Sequence, residues 1–245
     1  DHSSLRHLIY AGAPMYREDQ KRALEALGPV LVQYYGLGEV TGNITVLRPD
    51  EHSVDDGPYA RVGTCGVERT GIEVSIQDET GKILGPNETG EVCVVGSAVC
   101  AGYLDDDGAN AKFFRDGWFR TGDIGHMDDQ RYLYLTGRAS DMYISGGSNV
   151  YPKEVEEILL THPAVSEVAI LGIPDPQWGE VGLAVCVTET GQQTDAADLS
   201  EFLKDKITRY KMPARYLFIE DMPTSAYGKI TKKLVREFLT EKGLL

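Results

Sequence analysis

Thr136-Gly-Arg-Ala-Ser-Asp-Met-Tyr-Ile-Ser-Gly-Gly-Ser-Asn-Val-Tyr-Pro-Lys-Glu-Val-Glu156 is where this chain changes character. Before it, short alternating segments are broken by Gly, Pro, Asn and Asp. After it, helical stripes and strands interleave. The stretch holds a charged pair spaced by two small residues (Arg138, Asp141), a double-glycine turn (Gly146, Gly147) and a proline placed to start a helix (Pro152). A proline suits the first helical turn because the N–H it lacks has no intrahelical partner there. A domain junction and a chemically equipped loop therefore coincide. The expected fold is multidomain, α/β followed by α+β.

Upstream of the junction, residues 132–135, 90–95 and 71–77 alternate apolar and polar between turn residues, which predicts a small antiparallel, barrel-like unit over about 57–136. Farther upstream, residues 5–10 and 30–35 read as strands flanking the Gly12-Ala-Pro14 turn and a helix over 16–27. That order is α/β in character. Downstream, Val155, Ile158 and Leu159 form the apolar face of the proline-started helix. Residues 165–173 and 216–219 read as strands. Leu199, Phe202, Leu203 and Ile207, and then Leu234, Val235, Phe238 and Leu239, recur at helical spacing and read as core. The first strand begins without the strand–helix lead-in of a parallel sheet, so the chain reads as a fragment whose earlier partners lie upstream.

Cys65, Cys93, Cys100 and Cys186 show no CxxC spacing. They read as small buried hydrophobes in a reducing compartment, the cytoplasm, in preference to disulfides or a zinc site. No apolar run approaches the ~20 residues that cross a bilayer, and no signal-peptide pattern opens the chain. The formal charge of −14 opposes a broad nucleic-acid surface, because no basic stripe neutralises phosphates. A small phosphate-bearing ligand, which needs only a few local donors, stays open.

Two familiar signatures fail on inspection. Gly36-Leu-Gly38-Glu-Val-Thr-Gly42 follows a strand, but its third glycine comes one residue late, and the β-branched run after it offers no helix N-terminus for a pyrophosphate. Gly81-Lys82 and Gly228-Lys229 lack the rest of a triphosphate-binding loop. No HExxH or GxSxG motif occurs. Four local features remain. Glu39 sits just past a strand end, as a loop acid or a hard-oxygen ligand for Mg²⁺. Asp123 follows Thr121-Gly122, read as a tight turn, where a carboxylate caps its own loop or accepts from a ribose diol. Arg138 and Asp141 are candidates for an internal ion pair. Lys229 lies on a glycine-freed loop, either a surface lysine or one reaching a cleft to neutralise developing charge.

In their order and spacing, Gly12-Ala-Pro14, Tyr35-Gly-Leu-Gly-Glu39, Gly90-Glu-Val through Gly102-Tyr103, Thr121-Gly-Asp123, Gly137-Arg-Ala-Ser-Asp141 and Pro223 through Gly228-Lys229 resemble the adenylate-forming enzymes. This is the group of acyl-CoA synthetases, luciferases and peptide-synthetase adenylation domains, and the resemblance covers essentially the whole chain. It implies that residues 1–137 end a large N-terminal AMP-binding domain, with the distorted barrel inside it, and that 142–245 form a small α+β lid. It also implies that the family's phosphate-binding loop and most of the acyl pocket lie upstream of Asp1, so that this polypeptide alone is inactive.

The resemblance further implies ATP, Mg²⁺ and CoA as reactants, with a small carboxylic acid from fatty or aromatic acid metabolism, and it leaves a homodimer open. Glu39 becomes the Mg²⁺ ligand and Lys229 the adenylation lysine. Asp123 holds the ribose hydroxyls, with Arg138 near ribose and phosphate. Gly12, Ala13, Pro14, Tyr34, Tyr35, Gly36 and Gly38 border the nucleotide. Ser140 and Asp141 form the hinge, and Ser145, Gly146 and Gly147 take the place of Lys229 when the thiol acceptor is admitted. CoA is the preferred acceptor, because Gly146-Gly-Ser-Asn-Val-Tyr-Pro-Lys-Glu154 resembles the CoA-ligase version of that loop. A carrier-protein thiol, or an inert binding fragment, are the alternatives. Two departures stand out: Gly38 occupies a position where the family commonly has Thr, and Ser140 one where it has Asp or Lys.

Overall fold

The computed structural model of the chain describes residues 1–13, 15–57, 60–226 and 228–245. Two units, Asp1–Ala139 and Ser140–Leu245, each build their own core.

The first unit opens with β1 (Leu8–Tyr10), α1 (Arg17–Leu27) and β2 (Leu31–Tyr35), and β1 pairs parallel to β2. Helix α1 stops at Gly28, whose φ of +79° no β-carbon favours. After β2 the chain makes a 3-10 turn, Gly38–Val40, and returns as β3 (Thr45–Leu47), antiparallel to β2. No helix follows the glycines, as the β-branched run predicts. β4 (Val67–Glu68) completes the sheet order β1-β2-β3-β4.

The second sheet contains β5 (Ile72–Gln77), β6 (Gly90–Gly96), β7 (Phe114–Arg115), β8 (Trp118–Met127) and β9 (Leu133–Arg138). Its order is β5-β6-β8-β7, with β9 also on β8, every pairing antiparallel, and it curls like half a barrel. A short helix, α2 (Asp107–Phe113), enters β7 and is capped by the Asp106 carboxylate, which accepts from Ala109 N at 2.8 Å. Neither α2 nor the full length of β8 was expected from the sequence. β8 alternates strictly, with Phe119, Thr121, Asp123 and Met127 buried. Two polar residues on the buried face break the apolar pattern that would have revealed it.

The second unit begins with a hairpin, β10 (Tyr143–Ser145) and β11 (Ser148–Val150), followed by α3 (Pro152–Leu159). Long strands β12 (Val165–Asp175) and β13 (Gly179–Thr188) pair antiparallel. Then come α4 (Ala196–Leu203), β14 (Arg215–Phe218), parallel to β13, and α5 (Lys232–Glu241). Both faces of this sheet are covered. Val168 and Ile170 pack with α3 and α4, while Ala169 and Leu171 pack with Val235 and Leu239 of α5. A doubly covered strand reads as a continuous apolar run, which is why β12 was visible in the sequence. Ile207 was expected on the α4 stripe but lies beyond the helix end, half-buried against the same core.

Candidate active site

Because β1 and β2 run parallel, Gly12 and Gly36 leave the sheet at the same carboxyl edge, where open α/β sheets take ligands. Gly12, with φ +84°, and Ala13 are exposed there. Pro14, expected beside them, lies outside the described residues. At Gly36 a β-carbon would fall 2.4 Å from the Gly42 carbonyl oxygen, so the loop closes on itself only with glycine. Gly42 N donates to Leu37 O at 2.7 Å and Ile44 N to Tyr35 O at 2.7 Å, which fixes that closure.

Tyr34 and Tyr35 are neighbours on a strand and therefore face opposite sides. Tyr35 Oη donates to Asp123 Oδ2 at 2.7 Å. Tyr34 lines a shallow cleft on the other face with His7, Ile9, Val32 and Arg48. The two tyrosines expected at one site are thus divided.

Asp123 is 5 % exposed and is held from several directions. Arg138, directly opposite on β9, brings Nε to within 3.0 Å of Oδ1. Thr121 Oγ1 accepts from Asp123 N at 3.1 Å and donates to Val92 O at 2.9 Å. The Thr121-Gly122 turn expected from the sequence is instead part of β8, distorted by Gly122 at φ +74° and a register shift between Ile124 and Gly125. Bulges of this kind re-aim side chains beside functional sites. Glu91 holds the distortion, accepting from Gly122 N at 3.1 Å and from Arg120 Nε at 2.7 Å. Burial, then the Asp123 charge, pushes the Tyr35 phenol well above its ordinary value, so it remains a donor to the carboxylate. The ion pair imagined between Arg138 and Asp141 is replaced by the one with Asp123.

Glu39 sits half-buried in the 3-10 turn. Its Oε1 accepts from Tyr103 Oη at 2.8 Å, and its carbonyl accepts from Cys100 N at 2.7 Å. The tyrosine is fixed in turn. Asn110 accepts from Tyr103 N at 2.7 Å and donates to Tyr103 O at 2.8 Å, and the ring meets Phe113 and Phe114 edge-on. Burial, then Glu39, raises the Tyr103 phenol to about 12. Among the described residues no cation pairs with Glu39, and no cluster of three or more His, Cys, Asp or Glu surrounds it. One hard oxygen donor without a competing ammonium or guanidinium fits a Mg²⁺ ion that takes its remaining ligands from water and phosphate. Gly38, beside it, is exposed with open space where a β-carbon would stand.

In the second unit, Ser140 is exposed and its hydroxyl donates to Asp141 Oδ1 at 3.3 Å. Gly146 and Gly147 join β10 to β11 as a two-residue turn with φ of +56° and +81°. Two positive φ values define the hairpin turn that matches strand twist. Ser145 is buried opposite Ser148, and Gly146 N donates to Trp178 O at 2.9 Å. Lys229 is half-buried on the loop closed by the Thr224–Ile230 bridge. No hydrogen bond or ion pair joins it to Ser145, Gly146 or Gly147 among the described residues.

Tyr103, Asn110 and Glu91 hold the expected residues in place; Glu91 and Tyr103 fall in the Gly90-Glu-Val and Gly102-Tyr103 stretches, but nothing in their spacing names what they hold. Their partners lie 64, 7 and 31 residues away in sequence, and only folding brings them together.

Residues 1–104 match the family described as AMP-binding enzyme, and residues 154–229 match the AMP-binding enzyme C-terminal domain. An indoleacetate–CoA ligase of Aromatoleum aromaticum is 37 % identical over the whole chain, which covers 47 % of that protein. A feruloyl-CoA synthase of an Amycolatopsis species is 39 % identical over 96 % of the chain and 47 % of its own length. Among solved structures, the O-succinylbenzoate coenzyme A synthetase of Bacillus subtilis in complex with ATP and magnesium ion superposes with a TM-score of 0.83 at 31 % identity, covering 96 % of this chain and 47 % of that one. The chain spans about half the length of the curated relatives it matches.

Proposed function

Since the chain belongs to the AMP-binding enzyme family, we propose that it carries nucleotide-side and lid machinery of an ATP-dependent acid–thiol ligase. In the first half-reaction a carboxylate oxygen attacks the α-phosphorus of ATP, a phosphorus–oxygen bond breaks, and pyrophosphate leaves an acyl-adenylate. In the second, a thiolate attacks the acyl carbon and AMP departs with the bonding pair. The observation that carries this reading is the Tyr35–Asp123–Arg138 contact. It is a buried carboxylate held rigid beside a sheet edge, suited to accepting from the hydroxyls of a ribose.

Asp123 orients the ribose, and Arg138 contacts ribose or phosphate oxygens, a reading supported by its half-exposed side chain beside Asp123. Gly12, Ala13, Gly36 and Gly38 supply backbone that a nucleotide can approach closely. Glu39 holds Mg²⁺, which when bound neutralises charge on the triphosphate. Lys229 stabilises the charge that builds on the transferring phosphoryl and carboxylate oxygens, and the Gly146–Gly147 turn serves the thiol step. CoA is the acceptor we favour, supported by the relatives' named reactions. Residues 138–141 act as the hinge. The cytoplasm is the compartment we favour, consistent with four cysteine thiols of which three are buried.

Pyrophosphate release measured over aromatic and aliphatic acids, with and without CoA, tests the reaction in the full enzyme bearing this sequence. Lys229→Ala should slow adenylate formation by roughly 100-fold or more and leave thioester formation from supplied acyl-adenylate near its original rate. Equal loss of both steps overturns the role of Lys229. ATP binding without pyrophosphate release for any acid favours an inert binding module, and transfer to a carrier-protein thiol in place of CoA corrects the acceptor.

A further inference from the structure

We propose that the Glu156–Lys232 ion pair is a positioning device that ties the Lys229 loop to the sheet of the second unit. The inference rests on the reading of Lys229 given above. Backbone and side-chain hydrogen bonds within the loop shape it: Ser225 N donates to Lys229 O at 2.9 Å, Gly228 N to Ser225 O at 2.9 Å, and Lys229 N to Ser225 Oγ at 3.2 Å, while Met222 and Ile230 at its flanks pack on the core. Such a turn fixes its own shape and says nothing about where it points. Its direction is set where it enters α5. Thr231 caps that helix, accepting from Leu234 N at 3.3 Å, and Lys232 is the first helical residue.

A lysine is out of place there. The N-terminal turn carries the positive end of the helix dipole, where carboxylates are favoured and ammonium groups are not. The first turn of α5 has no acidic residue at all. The Lys232 side chain is also only 20 % exposed, so it is largely denied water. Burial lowers its pKa to about 8, while the Asp141 charge acts in the opposite direction. What offsets these penalties is Glu156 of α3, whose side chain is 5 % exposed and whose Oε1 bonds Lys232 Nζ. The same Oε1 accepts from Ile170 N of β12 at 2.7 Å, a donor on the free edge of the sheet. One buried carboxylate thus joins α3, the edge strand and the start of α5, three residues beyond Lys229. Asp141, in the hinge stretch of the same unit, acts electrostatically on the same lysine.

Hydrogen exchange followed residue by residue on the chain itself is the deciding measurement. Glu156→Gln keeps the volume and an acceptor for Ile170 N but removes the charge, and Lys232→Met removes the other partner. Both should speed exchange of the Gly228 and Lys229 amides by roughly tenfold or more, while Ala184 and Val185 in β13 keep their protection. Lys232→Arg should restore the loop. Unchanged loop exchange, or equal acceleration of loop and β13, overturns the proposal, the second outcome marking the pair as a general stabiliser. If Lys232→Met does not fold, Glu156→Gln alone decides. In the active enzyme, Glu156→Gln should slow adenylate formation and spare thioester formation from supplied acyl-adenylate, and equal loss of both counts against positioning. Absence of adenylation in the unsubstituted enzyme would count against the functional reading instead, with exchange still deciding the anchor.

Discussion

Gly38 shows how a single side chain separates fold from chemistry. It starts the 3-10 turn beside Glu39, carries no positive φ, and has no heavy atom within 4 Å of where a β-carbon would stand. Nothing in the fold demands glycine here, in contrast with Gly36, where a β-carbon would strike the Gly42 carbonyl. Gly38→Thr is therefore expected to leave stability within about 0.5 kcal/mol, as surface substitutions usually do. It adds a hydroxyl donor beside the carboxylate, so ATP KM or the adenylation rate should change. Equal thermal midpoints with altered ATP kinetics support this, and unaltered kinetics show that the hydroxyl finds no phosphate. Glu39, Asp123, Arg138 and Lys229 were legible as candidates because charged groups beside glycines stand out. Their partners were not, since the pairing of Arg138 with Asp123 depends on the β8–β9 register and the support of Glu39 on Tyr103. A register is a property of two strands, invisible in either one alone.

At the scale of an element, β10 is fixed by a slot. Tyr143 is 2 % exposed and its ring lies over Gly172 of β12 and Gly182 of β13, which are directly paired. A β-carbon at Gly172 would come within 2.4 Å of Tyr143 Cβ, and one at Gly182 within 2.5 Å of Tyr143 Oη. Both glycines are required by close approach, since neither has a positive φ. Gly172→Ala should destabilise the second unit by about 1–3 kcal/mol through overpacking, read as a lower midpoint in denaturant. The Tyr143 hydroxyl is buried with no hydrogen-bond partner among the described residues, so Tyr143→Phe should be neutral or slightly stabilising. An unchanged midpoint for Gly172→Ala would show that the sheet moves to admit the methyl. The sequence displayed α3 and α5 through their apolar periodicity and β12 through its continuous apolar run. It hid β13's role in the slot because glycines in a strand suggest a bulge or a bend as readily as a seat for an aromatic ring.

For the whole molecule, the question is whether two units that build separate cores also fold separately. The last ladder contact of the first unit is the Asp123–Arg138 pair, and Ala139 N still donates to Gly122 O at 2.9 Å. Ser140 is the first residue past that ladder, and Arg138, Ala139 and Ser140 are all exposed. The second unit covers both faces of its sheet with its own helices. About a hundred residues with a doubly covered sheet is an ordinary size for an autonomous domain. Residues 140–245 prepared alone should therefore unfold in one cooperative step, and Gly172→Ala should lower that transition as it does in the whole chain. Brief proteolysis of the whole chain should cut first at 139–141 and release two resistant pieces, because exposed backbone outside a ladder is what proteases take. A broad, non-cooperative melt of residues 140–245, or degradation without resistant pieces, would mean that the second unit owes its order to the first.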